Sequence, residues 1–299
     1  MRGVSSWVWA GVAVVRLMAY LLLVTGSAWG ESLVREGRMP SRALQAEVPY
    51  TVYLPDGHAR GGLLYPVLYL LHGHGGNERN WLDDGQVQSV LDRLIGSGQV
   101  PPMIVVMPGG GTTWWVDGND QAAGTMLVDE LVAHVEATLP ALAEREGRMI
   151  AGLSAGGYGT VVAALRHPER FAAAAALSPA IYAPTPPPNS AAWQVPAFRK
   201  DGRFDQASWD RLGYPALWER YRQLGRVVPM FVASGDHDEL SIAWHATQFY
   251  QRLFEHQPKD VALRIIDGGH DWGVWRAAID EALRFMGRRV SPPRAPPAR

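Results

Sequence analysis

The chain has 299 residues, long enough for one large domain, and its 47% apolar against 19% charged residues mark a folded globular protein. Its 28 basic and 29 acidic side chains leave a formal net charge of −1, without the basic footprint that nucleic acid or an anionic membrane attracts. Cysteine is absent, which excludes disulfides, thiolate metal sites and cysteine nucleophiles together.

The chain opens on Arg2, followed by an apolar run densest from Leu17 to Val24 and by small residues from Gly26 through Ser27 and Ala28 to Gly30. This pattern is that of a secretory signal peptide over residues 1–30, cleaved near Ala28 or Gly30, and it predicts export to the periplasm or the medium. Arg16 interrupts the apolar stretch. A retained anchor needs about 20 continuous apolar residues, so no stable membrane insertion is expected after cleavage.

Past the leader, Val48, Tyr50, Val52 and Leu54 alternate with Pro49, Thr51 and Tyr53, which predicts a strand with one covered face, ended by the turn Pro55-Asp56-Gly57. Short apolar runs without alternation follow at Val67–Leu71, Met103–Met107, Met149–Leu153, Ala172–Leu177, Pro229–Ala233 and, more weakly, Leu263–Ile266. Such runs fit strands covered on both faces, as in a parallel sheet flanked by helices. Helical spacing appears between and after them, at Val128, Leu131, Val132, Val135 and Leu139, then at Ile242, Ala246, Phe249 and Leu253. A last helix is marked by Trp272, Trp275, Ile279, Leu283 and Met286. The expected fold is a doubly wound, mostly parallel α/β domain over residues 31–290, with antiparallel strands at its leading edge. Residues 183–215 break this rhythm with Pro184, Pro186, Pro187, Pro188, Pro196 and Pro215, and predict a lid-like excursion over the sheet. The Pro- and Arg-rich tail, 291–299, is expected to be disordered.

Gly152-Leu153-Ser154-Ala155-Gly156 matches G-x-S-x-G. In a chain with 32 glycines the pattern alone is weak, so its setting carries it: a buried strand ends near Leu153 and a small-residue helix begins near Gly157. A serine at such a turn is held in a strained backbone with its hydroxyl projecting from the sheet. It needs a base, because a neutral hydroxyl is a poor nucleophile. Of the downstream histidines His167, His237, His245, His256 and His270, only His270 occupies a suitable turn, Gly268-Gly269-His270-Asp271-Trp272, between a strand and the final helix. The acid that orients the imidazole should leave the preceding core strand, where Asp236, Asp238 and Glu239 all lie in one turn. Spacing does not choose between Asp238 and Asp236, the latter also being a good turn former. An oxyanion needs backbone N–H donors: Ala155 after the serine, and His74 in the loop His72-Gly73-His74-Gly75-Gly76.

The alternate histidines 72 and 74 could instead ligate zinc with Asp236, His237 or Asp238. The segment lacks the further Asp-His pair of two-metal hydrolases, and a metal site would leave the Ser154 turn unexplained. Trp114 and Trp115, after the Val105 strand, are placed to edge the site and stack on a substrate ring, with Tyr158 beside the serine; ordinary packing is the alternative for all three.

Taken together, Tyr69 to Gly76 with Trp81, Val105 to Pro108, Gly152 to Gly157, Gly235 to Asp238, and Gly269 to Trp272 with Trp275 resemble the α/β-hydrolase family that holds esterase D-like hydrolases, feruloyl esterases and mycolyl transferases. The resemblance runs from about Tyr50 to about Met286. It implies the α/β-hydrolase fold and a serine esterase without cofactor, acting through an acyl-enzyme on an acyl group carried by a small molecule or carbohydrate. It also implies Asp238 as the acid, three positions past Gly235, and the His74 N–H as an oxyanion donor. An acyltransferase would use the same three residues. A non-catalytic binding protein on this fold is the remaining alternative, though such descendants usually lose one of the three.

Overall fold

The computed structural model describes residues 32–296 apart from 60 and 120, so the predicted leader lies outside the described residues. Strands β1 (Leu33–Ser41) and β2 (Ala46–Leu54) form an antiparallel hairpin. The alternation from Val48 signals β2. β1 alternates poorly because most of it is solvent-exposed edge, held by its register with β2.

The all-apolar runs become β3 (Val67–Leu71), β4 (Ile104–Pro108), β5 (Arg148–Leu153) and β6 (Ala173–Leu177), every residue of them buried. Between β3 and β4 lie the one-turn α1 (Asn80–Asp83) and α2 (Val87–Gly96). Between β4 and β5 lie α3 (Ala123–Thr125), a wide π-helical segment Met126–Leu131 and α4 (Val132–Thr138). The predicted apolar stripe from Val128 thus falls on a helix of mixed winding, and Leu139 ends it in extended conformation. Helix α5 (Ala155–Arg166) joins β5 to β6.

Residues 183–215 are not structureless. They carry two 3₁₀ turns (Ala191–Gln194 and Pro196–Phe198), a small hairpin of β7 (Arg199–Lys200) and β8 (Arg203–Phe204), and α6 (Gln206–Leu212), before α7 (Tyr214–Gln223). Phe198 and Trp209 from this excursion meet Tyr158 of α5, with Trp209 stacked on Tyr158 at 5.6 Å between ring centroids. The excursion is therefore a third layer, and it explains why α5 is buried from Ala155 to Leu165. Strands β9 (Met230–Gly235) and β10 (Val261–Ile266), with α8 (Ile242–His256) between them and α9 (Trp272–Gly287) after, complete the domain.

The eight-stranded sheet has the order β1-β2-β4-β3-β5-β6-β9-β10, antiparallel at β1/β2 and β2/β4 and parallel elsewhere. One apolar core fills the face under α4, α5 and α8, and a second the face under α2 and α9. β10 is an edge strand of intermediate exposure, the physical reason its apolar signal is weak.

Within the tail from Ser291, the described residues 291–296 depart from the expected disorder, being bonded to the domain. Ser291 N–H donates to Glu146 O at 2.8 Å, and Arg294 exchanges backbone bonds with Leu64 at 2.8 and 3.1 Å. Prolines remove donors from this segment but leave Ser291 and Arg294 free to bond, and the Arg294 guanidinium pairs with Glu144 at 2.6 Å.

Candidate active site

Three loops at the C-terminal ends of β5, β9 and β10 meet over one rim of the sheet. Ser154 follows β5 with φ 53 and ψ −116, a conformation costly for a residue with a Cβ. It is held by its own backbone bonds: Ser154 N–H to Leu177 O at 2.9 Å, and Ala180 N–H to Ser154 O at 3.1 Å. The flanking glycines are contact requirements. A Cβ on Gly152 would stand 2.5 Å from Gly156 backbone, and one on Gly156 would stand 2.5 Å from His72 O.

His270 Nε2 lies 2.9 Å from Ser154 Oγ, and His270 Nδ1 lies 2.7 Å from Asp238 Oδ2. Asp238's side chain is fully buried and that of His270 is 12% exposed, so the pair sits where water screens it weakly. The second Asp238 oxygen accepts the Leu240 N–H at 3.0 Å. Asp236 turns the other way: its Oδ1 accepts the Gly268 N–H at 3.0 Å and holds the exposed His237 at 2.7 Å. The Gly268 bond is the main cause of its lowered pKa. The two turns approach closely because Gly235 has no side chain; a Cβ there would be 2.3 Å from Gly268 O.

Behind His270 runs a ladder of edge-to-face rings. His270 meets Trp275 at 5.1 Å, Trp275 meets Trp272 at 5.1 Å, and Trp272 meets Trp81 at 5.3 Å. Polar bonds fix both ends, since Trp275 Nε1 donates to Ser178 Oγ at 3.1 Å and Trp81 Nε1 to Leu71 O at 2.9 Å. Asp271, next to His270, caps α9 through the Gly273 and Val274 N–H groups.

The loop after β3 passes directly over the serine: a Cβ on Gly73 would lie 3.3 Å from Ser154 Cβ. His72 is its strut. Its Nδ1 lies 2.6 Å from Gly73 O, and its Nε2 accepts the Gly110 N–H at 2.8 Å, which places its single proton on Nδ1. Burial lowers its pKa to about 4, and with both nitrogens occupied it is spent as a metal ligand. Among the described residues, the one group of three or more histidine and acid side chains with ligand atoms gathered within 4.8 Å is Asp236, His237 and Asp267, all exposed and separate from His72 and His74.

The expectation that Trp114, Trp115 and Tyr158 touch substrate is corrected. They are 2%, 2% and 1% exposed, and none lines the cavity over Ser154. The two tryptophans have φ values of 55 and 63, which turn their rings inward onto α5, where Gly159 leaves room for Trp115. Their indoles brace the loop after β3: Trp115 Nε1 donates to His72 O at 3.2 Å, and Trp114 Nε1 to His74 Nδ1 at 3.0 Å.

The cavity itself measures about 530 Å³ and is lined by Ser154, His270, the 73–76 loop, Asn77, Asn80, Asn189, Leu240, Trp272 and Trp275, among others. Asn189 arrives from the excursion and Leu240 from the Asp238 turn, and neither carried a sequence signal. Trp81, Trp272 and Trp275 stood among the motifs, and the ring ladder supplies their physical role.

Residues 41–286 match the family model described as "Putative esterase". The chain belongs to this family. It is a family of carboxylic ester hydrolases on the α/β-hydrolase fold. An endo-1,4-beta-xylanase/feruloyl esterase of Xylanibacter ruminicola is 37% identical over 142 residues, covering 44% of the chain but only 20% of that longer relative. An acetyl esterase of Caldicellulosiruptor saccharolyticus is 24% identical over 239 residues, 74% of the chain and 83% of the relative. Among solved structures, a ferulic acid esterase superposes with a TM-score of 0.75 at 30% identity, covering 86% of this chain and 98% of that one. An S-formylglutathione hydrolase from Agrobacterium tumefaciens, at 20% identity, TM-score 0.71 and coverage of 89% and 98%, shares the fold.

Proposed function

We propose that the chain is a serine esterase working through a Ser154–His270–Asp238 triad and an acyl-enzyme. The observation that carries this is the unbroken chain of hydrogen bonds from hydroxyl to imidazole to carboxylate, 2.9 and 2.7 Å long. Ser154 Oγ attacks the ester carbonyl while His270 Nε2 takes its proton. The carbonyl electrons collapse back and expel the alcohol, which takes the proton from His270. Water then attacks the acyl-serine by the same route, releasing the acid and restoring the hydroxyl. Asp238 keeps the imidazole in the Nδ1–H form and stabilises the imidazolium. The backbone N–H groups of Ala155 and His74 receive the oxyanion; the first N–H groups of a helix have no intrahelical acceptor, which leaves Ala155 available.

The substrate is a carbohydrate-linked or phenolic ester. The relatives named feruloyl and acetyl esterases support this, as does a cavity that combines indoles with the amides of Asn77, Asn80 and Asn189. This reading calls on no cofactor and no nucleic acid, and on no stable membrane insertion once the leader is cleaved. The leader-like residues 1–30 support export, and among the described residues no helix is long and apolar enough to cross a membrane.

Ser154→Ala is expected to abolish hydrolysis of a short p-nitrophenyl ester while the thermal unfolding midpoint stays within a few degrees of the parent. An alanine variant that keeps its turnover would refute the assignment.

A further inference from the structure

Among the polar groups at the cavity wall that the triad and the backbone donors leave unused is the imidazole of His74. Its Nδ1 accepts the N–H of Trp114 at 3.0 Å, and an indole nitrogen can only donate. His74 must therefore carry its proton on Nε2. His74 is an exposed residue of the cavity wall that also holds Ser154, and among the described residues no protein acceptor is bonded to that N–H. Trp114 is itself immobilised, at 2% exposure, by edge contacts with Tyr158 at 5.4 Å and Phe198 at 5.5 Å. Partial desolvation lowers the His74 pKa, which favours the neutral ring and its single donor.

Building on the serine esterase reading above, we propose that His74 is a specificity-determining residue whose Nε2–H donates to a neutral acceptor oxygen of the bound ester, with Trp114 as the positioning residue that fixes its tautomer. The oxygen is a hydroxyl, ether or ring oxygen, as borne by a sugar alcohol or by an oxygenated phenolic acyl group. Esters that carry it near the scissile bond are favoured over plain alkyl or aryl esters. The backbone N–H of His74 and its ring thus serve different atoms: the first meets the carbonyl oxygen of every ester, the second only an oxygenated one.

The test is a ratio of kcat/KM values within each variant, because any disturbance of the oxyanion loop lowers both rates together and leaves the ratio alone. Two pairs locate the oxygen: an acetylated monosaccharide against propyl acetate for the alcohol side, and methyl ferulate against methyl cinnamate for the acyl side. His74→Phe keeps a ring and the backbone N–H but loses the donor, and should reduce one of the two ratios by about 3- to 10-fold, the range of one neutral hydrogen bond. Trp114→Phe, which keeps the packing but frees the tautomer, should reduce the same ratio by a smaller factor. His74→Gln, with an amide N–H near the Nε2 position, should recover part of it. Both ratios unchanged in His74→Phe, or no effect of Trp114→Phe, would overturn the proposal. A fluorophosphonate probe applied to the parent separates this from the reading beneath it. Labelling at Ser154 with unchanged ratios sinks only the His74 inference, whereas no labelling at Ser154 sinks the serine mechanism as well.

Discussion

Asp236 and Asp238 leave one turn two residues apart, and what each oxygen accepts divides their work. Asp238 is buried, with one oxygen on His270 and the other on a backbone N–H. Asp236 faces outward and ties the turn to Gly268. Asp238→Asn should lower kcat by roughly 10³- to 10⁴-fold, since an amide cannot favour the productive tautomer or stabilise the imidazolium. Asp236→Asn should stay within roughly threefold of the parent, because its carbonyl oxygen can still accept from Gly268. Comparable losses in the two variants, measured as kcat on one ester, would contradict this division. At this scale the meeting of Ser154 and His270 was legible from local patterns: glycines around a strained serine, and a glycine turn before a capped helix. The choice between the two aspartates was not legible from spacing, since both follow the same strand and only side-chain direction separates them. Trp114 and Trp115 were misplaced for a related reason. A backbone at positive φ reverses the side on which a ring emerges, and nothing in a run of residues announces it.

At the scale of elements, the loops around the candidate triad are held by a few buried struts, of which His72 is the most exacting. It joins the exit of β3 to the Gly110 loop by hydrogen bonds that require the neutral ring. Burial depresses its pKa from 6.5 to about 4, so between those values the unfolded chain binds a proton that the folded chain does not. Stability contributed by this site is therefore intact above pH 6.5 and declines as the pH falls toward 4. About 2 kcal/mol should be lost between pH 7.5 and pH 5. Urea denaturation of the parent and of His72→Gln at both pH values checks it: the difference between the two proteins should shrink by that amount at pH 5. A difference independent of pH would show that the ring is not held neutral. The parallel strands were legible because burial on both faces leaves unbroken apolar runs. Helix α2 was not read, although Val87, Leu91 and Leu94 form its buried stripe, because it begins at a left-handed Gln86 without a capping side chain.

Over the whole molecule, the sheet order and the excursion cooperate. The sheet brings the ends of β5, β9 and β10 to one rim, and the excursion covers α5 and lends Asn189 to the cavity wall. The sequence rhythm foretold the first, since alternating strands and helices permit few topologies. It foretold only the existence of the second. The excursion's aromatic core of Phe198 and Trp209 is assembled from scattered residues whose partners lie on another element. The proposed mechanism unites these parts in a covalent step at a single oxygen. Mass spectrometry of the protein quenched during turnover of a slowly deacylated ester tests it most directly. The predicted result is one acyl group per chain, located on Ser154 and vanishing as substrate is exhausted; an active protein that carries no acyl group, or carries it on another residue, would contradict it.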